Sequence, residues 1–390
     1  MALPKIKLFK KGSKHEGGGF LVADLTDCSL KALYLSENTE DPKKYVVSGV
    51  SVFSSPDGLT KEGISSAIEE CLVQSNKSTK DVIVGLSGSG IIGFILIVKS
   101  EREDSEKEIT SDELEDLYQK VKETAYIHAK NKCAYLFADD VEFEALDLVV
   151  TSTFIENNIV EDPIGLSGAD IQVSVFCSYA EKSFYDRVVD IFSSLKYSVL
   201  TVTTALYSQV KLLSQKDSNF VLIDVGLSHT DVAVVLGKNI IQTKSFEIGG
   251  DYFTKSISES LGLSMKEADG KKAAFSGRTL PEDDADKISD LLYECGKDWR
   301  TAVVESLSSM PGIKSFPSKI ILSGGGAGLP IIHELLYEDA WCKPIPFENR
   351  LDIKVISGDD WDYLVKDELN LLSGPRMGVP VSLAIVKREI

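Results

Sequence analysis

The apolar positions of the chain fall into short buried-strand runs that end on acidic or glycine-rich tips. Phe20-Leu21-Val22-Ala23 runs into Asp24-Leu25-Thr26-Asp27 and returns through Leu30 to Tyr34, which reads as strand, acidic turn, strand. Val221-Leu222-Ile223 runs into Asp224, turns at Gly226-Leu227-Ser228-His229, and returns from Thr230-Asp231 through Val235 in the same design. Two hairpins of one design predict duplicated halves. A third run, Ile320-Ile321-Leu322, opens onto Ser323-Gly324-Gly325-Gly326 before a helix that starts at Pro330. Between these, the pattern predicts a helix near Lys61–Gln74, strands at Asp81–Leu86 and Ile91–Val98, and a charged loop over Ser100–Lys107. Thr110-x-x-Glu113 reads as a capping box whose helix puts Leu114, Leu117, Val121 and Ala125 on one face. Strands follow around Leu148–Phe154 and Asp170–Cys177. In the second half, Ile240–Phe246 reads as a strand and Gly249-Gly250-Asp251 opens a helix through Phe253, Ile257 and Leu261. Residues 277–287 read as an acidic surface loop before an amphipathic helix to about Leu307, and Val381–Ile390 as a last core helix.

Chemistry follows from these tips. Backbone N–H groups at such turns can face an anion, and an acidic residue at a strand end can hold hydrated magnesium against it. The successive glycines 324–326 remove every Cβ, so adenine and ribose can lie against bare backbone. Taken singly, each segment is also what an ordinary loop or an aspartate at a turn looks like.

Composition narrows the field. A chain of 390 residues suits two lobes better than one core. Sixty acidic against 42 basic side chains give a net charge of −18, which argues against nucleic acid as a partner. A polyphosphate would therefore be held by backbone amides, a few lysines and a metal. The six cysteines are scattered, with no C-x-x-C pair, and read as reduced cytosolic thiols. No apolar run of membrane-spanning length and no secretory signal occurs.

In order and spacing the three segments resemble the actin and sugar-kinase superfamily. Within it, Val84-Gly85-Leu86-Ser87-Gly88-Ser89, Glu161-Asp162-Pro163-Ile164-Gly165-Leu166-Ser167-Gly168 and Phe246-Glu247-Ile248-Gly249-Gly250-Asp251 resemble strings of the bacterial cell-division actin family FtsA. The resemblance spans most of residues 18–390. It implies an α/β, actin-like, duplicated two-lobe fold. Residues 20–91, 166–215 and 360–390 would form the first lobe, 92–165 an inserted strand–helix–strand–strand subdomain, 216–250 and 318–359 the second lobe, and 251–317 a helical nucleotide-capping subdomain. It further implies ATP and magnesium as ligands. The nucleotide site would comprise Asp24, Leu25 and Thr26; Asp224, Gly226, Leu227, Ser228, His229 and Thr230; Gly249 and Gly250; Asp269 and Lys272, three apart on one helical face; and Gly324, Gly325 and Gly326, with Asp24 and Asp224 toward the metal. The bland alternative for 267–272 is a solvated charged helix, and Gly270 within it weakens that segment. The inserted subdomain would make filament contacts, or is simply a plain α+β insert.

The departures matter for mechanism. The family's Asp-Ile-Gly-Gly-Gly-Thr-Thr-Asp is here Asp224-Val225-Gly226-Leu227-Ser228-His229-Thr230-Asp231, and its first-hairpin Gly is Thr26, with a second carboxylate, Asp27, where phosphate would lie. No Gln stands on Leu200–Thr204, so hydrolysis should be slow or absent. His229 could touch a γ-phosphate, though a lone loop histidine is more often solvent-exposed. The family's partners are further copies of itself, a tubulin-like division protein and the inner face of the cell membrane. The family's C-terminal amphipathic tail has no counterpart after Val381–Ile390, so the expectation is that membrane attachment is lost or has moved to the basic arm 1–19, where Leu3, Ile6, Phe9, Lys10 and Lys11 read as a membrane or partner tether or else as a disordered or strand-adding arm. The related pilus family PilM, a scaffold that binds a membrane-protein peptide, is the nearest alternative. A small-molecule kinase of the same fold is a more distant one.

Overall fold

The computed structural model describes residues 18–55, 58–133, 141–338 and 341–390. The N-terminal arm, with its tether candidates, lies outside them. The chain begins with strands β1 (Gly19–Leu25), β2 (Ser29–Glu37) and β3 (Tyr45–Ser54), helix α1 (Lys61–Ser75) and strand β4 (Asp81–Leu86). There follow β5 (Ile91–Glu101), α2 (Ser111–Cys133), β6 (Phe143–Ile155), β7 (Asn158–Val160) and β8 (Asp170–Glu181), then α3 (Lys182–Ser194), β9 (Ser198–Thr204) and α4 (Ala205–Leu213). The second half comprises β10 (Phe220–Val225), β11 (Thr230–Leu236), β12 (Asn239–Phe246), α5 (Gly250–Leu261), α6 (Met265–Ser276), α7 (Glu282–Ser308), β13 (Lys319–Ser323), α8 (Pro330–Tyr337) and β14 (Asp352–Val355), and the chain closes with β15 (Val365–Lys366) and α9 (Gly378–Val386).

The two halves repeat one topology. In the first, β3-β2-β1 is an antiparallel meander continued by the parallel strands β4 and β9, with β15 parallel to β3 at the edge. In the second, β12-β11-β10 is continued by β13 and β14 in the same senses. The parallel strands are apolar on both faces, as sheets covered by helices on both sides require. Helices α4 and α9 fill the space between the sheets. Both are almost wholly buried, and Ser208 and Ser382 share a hydrogen bond of 2.7 Å where they meet.

The segment between β4 and α3 builds a sheet of its own, β5-β8-β6-β7, with α2 laid on it through Leu114, Leu117, Val121 and Ala125. Its central strand, β8, pairs with β5 and β6 over its whole length to Glu181, so this sheet runs well past the boundary expected at residue 165. The reason is continuity of burial: Leu146 and Ala180, at its base, belong to the first lobe's core with Leu25, Val84 and Phe184. On its other side β5 leans on β12 of the second lobe, where a Cβ on Gly93 would stand 3.6 Å from Thr243 Oγ1.

Two local expectations are corrected. Residues 282–287 are not loop, because α7 starts at Glu282 directly after Pro281, and Glu282, Asp283 and Asp284 form its first turn, where carboxylates favour the helix dipole. At Thr110 only half of a capping box forms. The Glu113 N–H donates to Thr110 Oγ1 at 3.3 Å, but the Glu113 carboxylate takes Arg102 instead, at 2.6 Å. Arg102 is buried and also donates to the carbonyls of Gly168 and Lys107, so one guanidinium ties the start of α2 to the Asp-Pro-Ile-Gly loop. Arg102→Ala should cost about 2–3 kcal/mol in urea unfolding, because it leaves two carbonyls and a carboxylate without their donor. A loss below about 0.5 kcal/mol, the level of an exposed pair, would show that the clamp carries no stability.

Candidate functional site

The tips of the two hairpins border one cleft, close enough that the charge of Asp24 acts on Asp224 and that of Asp27 on His229. Both close by the same turn: Thr26 N–H donates to the Ser29 carbonyl at 2.9 Å, and Gly226 N–H to the His229 carbonyl at 3.0 Å. Asp24 and Asp224 occupy matching positions at the ends of the central strands and are both buried, 1% and 6% exposed. Each has one oxygen engaged and one without a partner. Asp24 Oδ2 accepts from Lys31 Nζ at 2.6 Å, directly across the β1–β2 pair, and Asp224 Oδ2 accepts from Gln209 Nε2 at 2.8 Å. The remaining oxygens, Asp24 Oδ1 and Asp224 Oδ1, are buried and unpaired, as are Gln209 Oε1 and Ser323 Oγ beside them. Such groups cost free energy unless something from outside the chain meets them.

The loops differ in what they offer an anion. In the first hairpin, Thr26 Oγ1 accepts from the N–H groups of Cys28 and Ser29 at 3.3 and 3.0 Å, so the side chain that replaces a glycine also consumes the loop's donors. Asp27 does not stand free either, because its carboxylate accepts from Ser89 N–H and Oγ at 3.3 and 3.1 Å, in the Ser87-Gly88-Ser89 loop. In the second hairpin, among the described residues, the N–H groups of Leu227, Ser228 and His229 have no acceptor. That loop is held from behind: Gly250 and Asp251, at the start of α5, donate to the carbonyls of Gly226 and Leu227 at 2.9 and 2.8 Å. Gly249 must be glycine here, since a Cβ would sit 2.4 Å from the Leu227 carbonyl oxygen. Thr230 donates to the Ile248 carbonyl at 2.6 Å and accepts from the buried Trp299 indole at 3.1 Å.

His229 is not the exposed loop residue that base rates predict. Its side chain is 11% exposed, with Nε2 3.0 Å from Asp231 Oδ2, and Ser245 Oγ also donates to that aspartate. Burial works against its charge, but the Asp231 carboxylate outweighs burial and pushes the imidazole up to about 9, so it is a cation at neutral pH. Asp224 is raised as well, which for a carboxyl disfavours the charge. Burial first, then the charges of Asp231 and Asp24, push its carboxyl up to about 6. The cleft thus carries a fixed positive charge at one loop and a reluctant negative charge at the strand end.

Toward the other end of the cleft, Gly324 has φ +83° and lies so close to β10 that a Cβ would meet Asp224 Oδ1 and the Val225 carbonyl oxygen at 2.4 Å. Gly326 is as tight against Val225. Gly325 alone faces outward, 3.9 Å from Arg376 Cβ by the same measure. Lys272 is buried against α5 and donates to the Gly250 carbonyl at 2.9 Å and to Thr254, while pairing with Asp269 at 2.8 Å. All three of its protons are therefore engaged within the chain, and Asp269 stays largely exposed.

Among the described residues no three His, Cys, Asp or Glu side chains gather into a metal site. The pair Asp24 and Asp224 suits magnesium, which keeps several waters and needs only one or two carboxylates beside substrate phosphates. Leu25, on the strand just after Asp24, is fully buried core rather than cleft. Sequence reasoning missed Lys31, Gln209 and Arg376. Gln209 lies one turn into α4, past the strand searched for it, and its only sequence signal is an amide in an otherwise apolar helix. Lys31 was findable from the hairpin register, and Arg376 as an arginine following Gly-Pro in an acidic chain.

Residues 221–344 match the family model "Cell division protein FtsA". A relative with the same description, from Streptococcus pneumoniae serotype 2 (strain D39 / NCTC 7466), is 22% identical over 348 residues, covering 82% of this chain and 73% of that protein. The chain is thus similar to FtsA in sequence, over about a third of its length by the family model and over 82% of it by this relative. Solved structures show the fold. The PilM-PilN type IV pilus biogenesis complex superposes with a TM-score of 0.65 at 16% identity, covering 94% of this chain and 98% of that one. The ethanolamine utilization protein EutJ from Carboxydothermus hydrogenoformans gives 0.50 at 8% identity, covering 96% and 91%. The fold is thus actin-like.

The His229–Asp231 pair makes stability depend on pH. The folded value of His229, about 9, lies above its ordinary 6.5, so the pair stabilises fully below about 6.5 and its contribution is lost as pH rises through about 9. The stability difference between the natural protein and His229→Gln in urea unfolding should shrink steadily across that window. A difference that stayed constant with pH would mean that His229 is not charged in the fold.

Proposed function

We propose that this is an actin-fold ATP-binding protein of the FtsA kind, working as a polymerising adaptor between the division apparatus and the membrane. One observation carries the nucleotide reading: Asp24 and Asp224 each hold an unpaired buried oxygen at the same cleft, with Gln209 Oε1 and Ser323 Oγ unpaired beside them. Magnesium-bound phosphates meet that need, with the open N–H groups of the second hairpin and the His229 cation as anion contacts and Gly325 and Arg376 at the nucleoside end. Binding leans on the second lobe, since the first hairpin's donors are consumed. Turnover is slow at most, because Gln209 is tied through Nε2 to Asp224 and offers only its oxygen to a water. Similarity to FtsA supports self-association and a tubulin-like division protein as partner. The same similarity supports a place at the inner face of the membrane; among the described residues no helix is long and apolar enough to cross one.

Thr26→Gly frees the N–H groups of Cys28 and Ser29, and should tighten magnesium-ATP binding about fivefold in a fluorescence titration, near 1 kcal/mol. Unchanged or weaker binding would take the first hairpin out of the phosphate site. Electron microscopy on anionic lipid monolayers tests the cytoskeletal part, with ordered protofilaments expected in the presence of ATP and magnesium. Dispersed monomers under all conditions would leave the second reading, a PilM-like scaffold that holds a membrane-protein peptide, a role compatible with the fold shared with the PilM-PilN complex.

A further inference from the structure

Asp147 stands in the inserted sheet and is completely buried. It is nevertheless well satisfied. Ser178 Oγ donates to its Oδ2 at 2.8 Å, Thr204 N–H and Oγ1 donate to the same oxygen at 3.0 and 2.9 Å, and Thr203 Oγ1 donates to Oδ1 at 2.7 Å. Ser178 in turn accepts the Asp147 N–H at 3.0 Å. A β-bulge makes this possible. Between Ala145 and Asp147 the pairing with β8 slips by one residue, which sends Leu146 into the first lobe's core and aims Asp147 at the end of β9.

What lies there is the start of α4. Thr204 is its N-cap, with its hydroxyl also accepting the Tyr207 N–H at 3.3 Å, so a carboxylate of the inserted sheet supplies the negative charge that a helix N-terminus favours. Five residues on, the same helix presents Gln209 to Asp224 at 2.8 Å. We propose that Asp147 is a positioning residue that couples the inserted subdomain to the nucleotide cleft by fixing the N-terminus of α4, and hence Gln209, against Asp224. A shift of the inserted sheet, as when a partner or another copy loads it, moves Asp147, loosens Thr203 and Thr204, and alters how tightly Gln209 holds Asp224. By reciprocity, a ligand that reorganises Asp224 biases the inserted sheet by the same factor. The ligand arm of this inference rests on the nucleotide reading above; the link from Asp147 to α4 does not.

Asp147→Asn keeps the shape but replaces one acceptor by a donor that opposes Thr203 or Thr204. Thr151→Val serves as control, because Thr151 Oγ1 bonds Ser174 in the same two strands, away from α4. Amide hydrogen exchange of the full chain without ligand should be faster by about tenfold or more over residues 204–209 in Asp147→Asn and unchanged there in Thr151→Val. Binding of a fluorescent ATP analogue with magnesium should weaken about fivefold to tenfold in Asp147→Asn, but by less than about twofold when Gln209→Ala is already present. Independent, multiplying effects of the two substitutions on binding would overturn the proposal, as would equal exchange changes in Asp147→Asn and Thr151→Val. If the natural protein binds no nucleotide analogue, the nucleotide reading fails, and the exchange comparison alone decides the link.

Discussion

Two like charges buried at one cleft set the terms for everything around them. Asp24 is compensated by a lysine across its hairpin, but Asp224 has only an amide, and its carboxyl is left near 6 with one oxygen unpaired. A fold that keeps such a carboxylate must surround it with elements that cannot close over it. Gly324 provides one, since any larger residue would strike Asp224 itself, and α4 provides another by bringing an amide rather than a cation. The cation that is present, His229, is drawn aside onto Asp231. The arrangement is a receptacle held partly uncompensated, and its counter-charge has to come from outside the chain.

How much of this the sequence discloses depends on the range of the interaction. The hairpins are local, with strand, tip and strand within fifteen or so residues, so alternation and turn chemistry reveal them together with Asp24 and Asp224. The helix on the inserted sheet is legible for the same reason, through Leu114, Leu117, Val121 and Ala125. Long-range pairings are not. Arg102 captures Glu113 away from the capping box, Gln209 reaches Asp224 from the next helix, and Asp147 meets Thr204 57 residues on, none of which has a local pattern. Lysine 272 shows the opposite failure. Its spacing from Asp269 is visible, but the sequence does not reveal that Gly250 and Thr254 also take its ammonium.

The duplicated halves have diverged in a way that topology alone conceals. Both hairpins keep the same turn and the same strand-end aspartate, yet one spends its N–H groups on a threonine hydroxyl and its extra carboxylate on Ser89, while the other leaves its N–H groups open and is braced by the first turn of α5. The glycines that survive are those with a steric reason: Gly249 and Gly324 each lie within 2.4 Å, as a Cβ would, of a neighbouring backbone or carboxylate oxygen. At 26 and 228 the side chains are polar, and Thr26 takes up backbone donors of its own loop.

Where β5 meets β12, the inserted sheet touches the second lobe through Gly93 and Thr243, and the Thr243 hydroxyl is buried there without a partner. A joint with a bare glycine on one side and an unanswered hydroxyl on the other has no directional bond to break. The insert and the second lobe are matched there by fit rather than by a polar tie, whereas α4 and α9 are fastened to each other by the Ser208–Ser382 bond.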